Sequence, residues 1–73
     1  MAMVEVKSDI TGMVWKILVK EGTKVAEDDV LMILESMKME IPVVAPQDAV
    51  VKEIRVREGD HAAEGEVVAL LQI

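Results

Sequence analysis

An internal repeat constrains the fold of this chain more than any other sequence feature. When the first half is moved by 37 positions without a gap, as from Val6 to Val43, it matches the second half at many apolar and turn positions. Because two similar halves can bury each other face to face, the repeat predicts a body with an approximate two-fold axis. The other matched pairs are Val14 and Val51, Ile17 and Ile54, Val19 and Val56, Glu21-Gly22 and Glu58-Gly59, Ala26-Glu27 and Ala63-Glu64, Val30 and Val67, and Leu34 and Leu71.

Each half has the pattern of short β-strands. β-Branched residues dominate, and turn residues recur about every ten positions, which is typical of an all-β sandwich or barrel. We predict strands at 4–7, 13–19, 24–26, 30–35 and 39–44, in a single domain that covers residues 1–73. Pro42 indicates an edge position or a bulge, because proline has no amide proton to donate to a neighbouring strand.

The repeat also predicts an irregularity in each half. Side chains alternate along a strand, so Ile17 and Val19 share a face from which Val14 is excluded. Val51 and Ile54 show the same conflict in the second half. If all these residues face the core, each half needs a bulge or bend, between 14 and 17 and between 51 and 54.

The composition argues against several classes of function. The chain has no cysteine and one histidine, which excludes disulfides, thiolate metal sites and an imidazole cluster. A net charge of −6 and a single aromatic residue argue against binding to nucleic acid. No apolar run approaches the roughly 18 residues of a membrane span, and no signal peptide is evident, so we expect no membrane contact and a cytoplasmic location.

Side chains for conventional catalysis are scarce. The serines are Ser8 and Ser36, neither lies in a nucleophile motif, and His61 has no evident partner. We interpret His61, Asp28-Asp29 and most glutamates as solvated turn or strand-face groups, since charged residues usually lie at the surface.

One short segment carries the most specific signal. It lies between the apolar runs 30–34 and 41–45 and reads Glu35-Ser36-Met37-Lys38-Met39-Glu40. A short polar link between two strand-like runs predicts a β-hairpin, with Lys38 at its tip in solvent. The turn lacks the Gly, Asn or Asp that usually adopts positive φ, so we expect mild strain. On the 37-residue offset the hairpin corresponds to the chain ends, which predicts that Lys38 and the ends lie at opposite poles.

The residues of this segment each allow two interpretations. Lys38 either serves solubility or is a covalent attachment point, modified by an enzyme that presents an activated acyl group. Methionine often fills gaps in a core, so we expect either Met37 or Met39 to pack partly inward; alternatively both contact a ligase or the attached group. Glu35 and Glu40 are either solvated strand-end charges or contacts for a basic patch on the modifying enzyme.

The same segment resembles the Ala-Met-Lys-Met or Ser-Met-Lys-Met motif of biotinyl carrier domains. The whole chain resembles the biotin/lipoyl attachment family, and above all its small free-standing members with a Glu-Ser-Met-Lys-Met-Glu-Ile-Pro core. The resemblance implies a flattened β-barrel, or barrel-sandwich hybrid, of two four-stranded antiparallel sheets with pseudo-two-fold symmetry. It also implies that Lys38 carries covalent biotin, on the turn between the fourth and fifth strands. The surrounding site then consists of Glu35, Ser36, Met37, Met39 and Glu40.

The resemblance further implies a non-catalytic carrier. Biotin protein ligase would biotinylate Lys38, a biotin carboxylase would load carboxylate, and a carboxyltransferase would pass it to an acceptor. On its own the domain would be a monomer. The sequence leaves open the acceptor (acetyl-CoA, propionyl-CoA, pyruvate or another) and whether the chain is a free subunit or a fragment of a larger carboxylase.

Two features depart from the commonest carriers. The ungapped repeat has no room for the protruding thumb of some acetyl-CoA carboxylase carriers. Ser36 replaces the commoner alanine, and attachment proteins with this serine are associated with lipoate as well as biotin. Lipoate on Lys38 is therefore the alternative, although lipoyl domains generally place Asp and Ala beside their lysine.

Overall fold

Residues 2–73 are described by a computed structural model, and they form eight β-strands and no helix. No helix that could cross a membrane is therefore present among them. The all-β prediction is confirmed, and the five predicted strands agree with the observed bounds to within two residues. The strands are β1 (Met3–Lys7), β2 (Gly12–Ile17), β3 (Lys24–Val25), β4 (Val30–Ser36), β5 (Met39–Val44), β6 (Ala49–Ile54), β7 (His61–Ala62) and β8 (Val67–Gln72).

The strands form two four-stranded antiparallel sheets. One sheet has the order β5-β4-β2-β7 and is called the hairpin sheet below; the other has the order β1-β8-β6-β3 and is called the terminal sheet. Exchanging each strand with its counterpart in the other half converts one order into the other, so the predicted pseudo-two-fold symmetry is confirmed. β5 is an outer strand, as Pro42 predicts.

Both predicted bulges are present. The register of β2 against β4 slips by one residue at Trp15, and that of β6 against β8 slips at Lys52. These positions lie within 14–17 and 51–54, the two segments that the sequence singles out. The extra residue lets the valine and isoleucine of each segment face the core together.

The two-fold relation extends to individual hydrogen bonds. The amide of Ile17 donates to Oε2 of Glu58 at 3.0 Å, and the amide of Ile54 donates to Oε2 of Glu21 at 3.2 Å. In each bond, a turn carboxylate of one half holds the end of the bulged strand of the other half. The two halves are therefore joined by polar contacts as well as by the core.

The core lies between the sheets and draws on both halves. Fully burying one Val, Leu or Met side chain stabilises the folded state by about 1.5–3 kcal/mol. Ser8 is the polar side chain among the buried residues, and its Oγ donates to the carbonyl of Ile10 at 2.5 Å. In the other half the equivalent position is Ala45, which is also buried. The largest fully buried apolar side chains are Leu31, Met32, Leu34, Leu71, Val14, Val51 and Val68.

The hairpin between β4 and β5 and the ends of the chain lie far apart on an elongated body of 36 × 17 × 17 Å. The amide of Ile73 donates to the carbonyl of Ala2 at 3.0 Å, and this pair is the two-fold counterpart of Ser36 and Met39. β5 runs away from the hairpin and leads to β6, whose first residues pair with the end of β8. The register therefore places the hairpin and the chain ends at opposite poles, as predicted.

Candidate functional site

The candidate site is the hairpin between β4 and β5. Ser36 pairs with Met39, so Met37 and Lys38 alone form the turn. Both turn residues have positive φ, 51° and 66°, as a type I′ turn requires. This turn matches the twist of the flanking strands, and it places Lys38 at the tip of a tightly paired hairpin rather than on a loose loop.

The turn uses residues that rarely adopt this conformation. Asn and Gly are the usual choices, because a larger side chain in the left-handed region costs about 1–2 kcal/mol per residue. Among residues 2–73, the one other non-glycine residue with positive φ is Asp28, at the position equivalent to Gly65. The expected strain at Met37 and Lys38 is therefore confirmed at the level of the backbone.

The side chains of the turn face solvent. Lys38 is exposed, and the exposed fractions of Met37 and Met39 are 91% and 61%. The expectation that one methionine packs partly inward is therefore wrong. Met39 shares its strand face with the half-buried Ile41, but it lies one position nearer the turn on that face and is mostly exposed.

Glu35 and Glu40 lie directly opposite each other, one residue pair further from the turn than Ser36 and Met39. Both are exposed, and like charges at opposite positions destabilise a strand pair. Within residues 2–73 the ion pair that forms joins Arg55 to Glu53, so Lys38 pairs with neither glutamate. The hairpin therefore presents a cation at its tip and two unpaired carboxylates behind it.

Known proteins resemble this chain in sequence and in fold. The sequence profile of the family described as "Biotin-requiring enzyme" matches residues 1–71. The chain belongs to the biotin/lipoyl attachment family. It is 44% identical over 63 residues to the "Biotin/lipoyl attachment protein" of Bacillus subtilis, covering 86% of each chain.

Two further biotin/lipoyl relatives extend the comparison. The chain is 39% identical to the "Biotinylated protein TB7.3 homolog" of Mycobacterium leprae, over 92% of this chain and 94% of that one. The solved structure of the urea carboxylase of Kluyveromyces lactis contains the same fold, with a TM-score of 0.91 and 31% identity over 96% of this chain. The chain spans about 6% of that carboxylase, so the match concerns one domain of a much larger protein.

As a biotin/lipoyl attachment domain, the chain is a carrier rather than a catalyst. His61 and Asp28-Asp29 are exposed, as predicted from the sequence. Oδ2 of Asp29 accepts a hydrogen bond from the amide of Ala26 at 2.9 Å, which gives it a structural role in its turn. Residues 2–73 contain no group of three or more side chains placed to hold a metal ion.

Sequence reasoning missed one residue that supports the hairpin between β4 and β5. Gly12 on β2 packs against the end of β4, beside the backbone of Glu35 and the side chain of Ser36. The repeat contains a signal for it, because the equivalent position in the other half holds Ala49. Only the hairpin side of the molecule requires glycine here.

An open groove of about 600 Å³ lies at the opposite pole of the attachment domain. It is lined by residues of β3, β6 and the chain end, among them Val25, Ala49 and Ile73. A smaller space of about 90 Å³ lies between β1 and β5, near Val6 and Val43. Neither contains Lys38, so the candidate site is a projecting group rather than a pocket.

Proposed function

We propose that this chain is a biotin carboxyl carrier and that Lys38 is its attachment residue. The observation that carries the proposal is the position of Lys38, exposed on a two-residue turn between the exposed Met37 and Met39. The rigid barrel behind the turn holds the amine away from the rest of the surface. The long lysine stem adds the flexibility that a swinging arm needs.

Attachment forms one amide bond. Biotin protein ligase presents biotinyl-adenylate, Nζ of Lys38 attacks its carbonyl carbon, and AMP and a proton leave. The reaction removes one positive charge from a chain whose net charge is already −6. Ser36, Met37, Met39, Glu35 and Glu40 surround the amine and form the surface that the ligase recognises.

The carrier then works by proximity. A biotin carboxylase loads carboxylate onto the attached biotin with ATP and bicarbonate, and a carboxyltransferase passes it to an acyl-CoA or keto-acid acceptor. The domain catalyses neither step; tethering raises the effective concentration of the reacting group at two distant sites. The similarity to a domain of urea carboxylase supports partners of this class.

Lipoate on Lys38 is the second candidate. It is favoured over an unmodified lysine by Ser36 beside the turn. The Bacillus subtilis relative, named as a biotin/lipoyl attachment protein, also supports it. The methionines on both sides of Lys38 favour biotin. In either case the proposal is a single cytoplasmic domain over residues 1–73 that is monomeric on its own.

Mass spectrometry tests the proposal. The purified chain is incubated with ATP and either biotin and biotin protein ligase, or lipoate and lipoate ligase. We expect the intact mass to rise by one biotinyl group, with slower or no lipoylation. Lys38→Arg keeps the charge and should abolish labelling, whereas Lys16→Arg on the same sheet should not. No mass gain with a ligase that labels a known carrier would contradict the proposal.

A further inference from the structure

The outer face of the hairpin sheet carries a set of apolar side chains that face away from the core. Ile33 pairs with Lys16 on one side and Pro42 on the other, and Val30 pairs with Val44 in the next row. Leu18 joins this row through the bond from its amide to the carbonyl of Leu31. We call the set the apolar stripe; it consists of Trp15, Leu18, Val30, Ile33, Pro42 and Val44.

The stripe is open to solvent. The exposed fractions of Trp15 and Leu18 are 38% and 54%, Val30, Pro42 and Val44 are exposed, and only Ile33 is half-buried. Trp15 is the extra residue of the β2 bulge and lies on the same side as Lys16, whose Nζ is 5.8 Å from the centre of its ring. The bulge therefore turns the chain's one aromatic ring outward.

The terminal sheet provides an internal control. It has the same backbone and the same bulges, yet four positions of the stripe are charged there, so the fold itself does not require apolar residues. Two apolar positions, Val67 and Leu70, are retained. The charged equivalents of Trp15, Leu18, Pro42 and Val44 are Lys52, Arg55, Glu5 and Lys7. A contiguous exposed apolar surface is typical of interaction sites, and here one sheet has it where its counterpart carries charges.

The charges around the stripe define what can bind it. Lys16 lies within the stripe, in the row of Ile33 and beside Trp15, but both ends are acidic. The exposed Glu35 and Glu40 lie at the end towards the hairpin, and Glu27 and the adjoining aspartates lie in the turn before Val30 at the other end. A complementary partner has an apolar centre flanked by basic side chains. A second copy of this chain lacks that complementarity, because it has the same acidic ends and the same net charge of −6.

We propose that the apolar stripe is the docking surface for the biotin carboxylase that loads the arm, through an apolar patch bordered by Lys or Arg. The inference rests on the proposed function. The stripe begins in the row next to Glu35 and Glu40, so a partner bound to it lies beside the hairpin. Docking then holds the arm near the partner's active site without direct contact to Lys38.

Paired substitutions on the two sheets test the inference. Trp15→Gln with Leu18→Gln removes the stripe's most prominent side chains, and Lys52→Gln with Arg55→Gln makes the matched change on the terminal sheet. A further variant, Trp15→Lys with Leu18→Arg, introduces the side chains that the same backbone already accepts in the other half. Thermal unfolding followed by circular dichroism confirms that each variant is folded.

The readout is the biotinylated chain as substrate of a purified biotin carboxylase with ATP and bicarbonate. We expect both stripe variants to raise KM for the carrier about tenfold and to leave kcat within twofold, because docking but not chemistry is lost. The terminal-sheet variant should leave both constants within twofold of the parent.

Several results would overturn the inference. One is an unchanged KM, or an equal change on the two sheets. Another is that the stripe variants raise KM for the carrier with biotin protein ligase but not with biotin carboxylase, which would assign the stripe to the ligase. A dimer in sedimentation experiments that the stripe variants abolish would assign it to a second copy. Failure of biotinylation, seen by mass before any carboxylase is added, would instead overturn the proposed function on which the inference rests.

Discussion

Gly12 and the carbonyl oxygen of Glu35 are packed so closely that no side chain fits between them. A Cβ atom at position 12 would lie 2.7 Å from that oxygen and 3.3 Å from Cβ of Ser36. We predict that Gly12→Ala lowers the free energy of unfolding by about 1–3 kcal/mol, because the end of β4 must move to accept the methyl group. Urea denaturation measures the change.

A matched control for this prediction comes from the other half. Ala49 occupies the equivalent position and already has the methyl group, so Ala49→Gly should cost about 1 kcal/mol or less. An unfolding curve of Gly12→Ala that coincides with the parent's would show that the hairpin is not held by this contact.

Met37 has a φ of 51°, a conformation that asparagine tolerates better than methionine. We predict that Met37→Asn raises the free energy of unfolding by about 0.5–1 kcal/mol, which corresponds to roughly 2–8 °C in Tm for a domain of this size. Calorimetry measures the shift. Met39→Asn is the control, since Met39 is also exposed but begins a strand, where asparagine is disfavoured. A lower Tm for Met37→Asn than for Met39→Asn would disprove strain in the turn.

Glu40→Lys should stabilise the hairpin. The substitution replaces a repulsive cross-strand pair with an attractive one opposite Glu35, which is worth about 0.2–1 kcal/mol. Both side chains are exposed, so the gain should shrink as salt is raised from low to about 0.5 M. Thermal melts at the two salt concentrations test this. A gain that is independent of salt would mean that the two carboxylates do not interact.

The repeat made the architecture predictable because it is a relation between positions rather than a property of any one residue. The same alternation conflict at Val14 and at Val51 predicted both bulges, and the same offset predicted that the hairpin lies opposite the chain ends. Alternation along β5 was less informative. It puts Met39 on the inner face but cannot give the exposure of a residue so close to the turn, so the burial expected there was wrong.

The close contact at Gly12 and the hydrogen bonds to the turn carboxylates were not predicted, although the difference between Gly12 and Ala49 in the repeat marks the first position. Each depends on atoms brought together from distant parts of the chain, as in the bond between Ile54 and Glu21. The sequence does identify Lys38 as the most distinctive residue, since it lies at the centre of a motif. Its attachment role is a proposal that the labelling experiment decides.

The two halves should contribute equally to stability through their carboxylate bonds. Glu21 and Glu58 each accept one hydrogen bond from an amide of the opposite half, at 3.2 and 3.0 Å. We predict that Glu21→Ala and Glu58→Ala each lower the free energy of unfolding by about 0.5–1.5 kcal/mol, because each leaves a strand-end amide to be satisfied by water. Urea denaturation of both variants measures the two losses.

The double variant gives the sharper test of the two-fold relation. The two bonds share no residue, so their effects should add to within about 0.5 kcal/mol. Glu53→Ala is the control, because its ion pair with Arg55 is exposed on both sides and should contribute less than about 1 kcal/mol. If only one of the two turn glutamates affects stability, the hydrogen bonds do not share the symmetry of the backbone, and the halves are joined chiefly by the core.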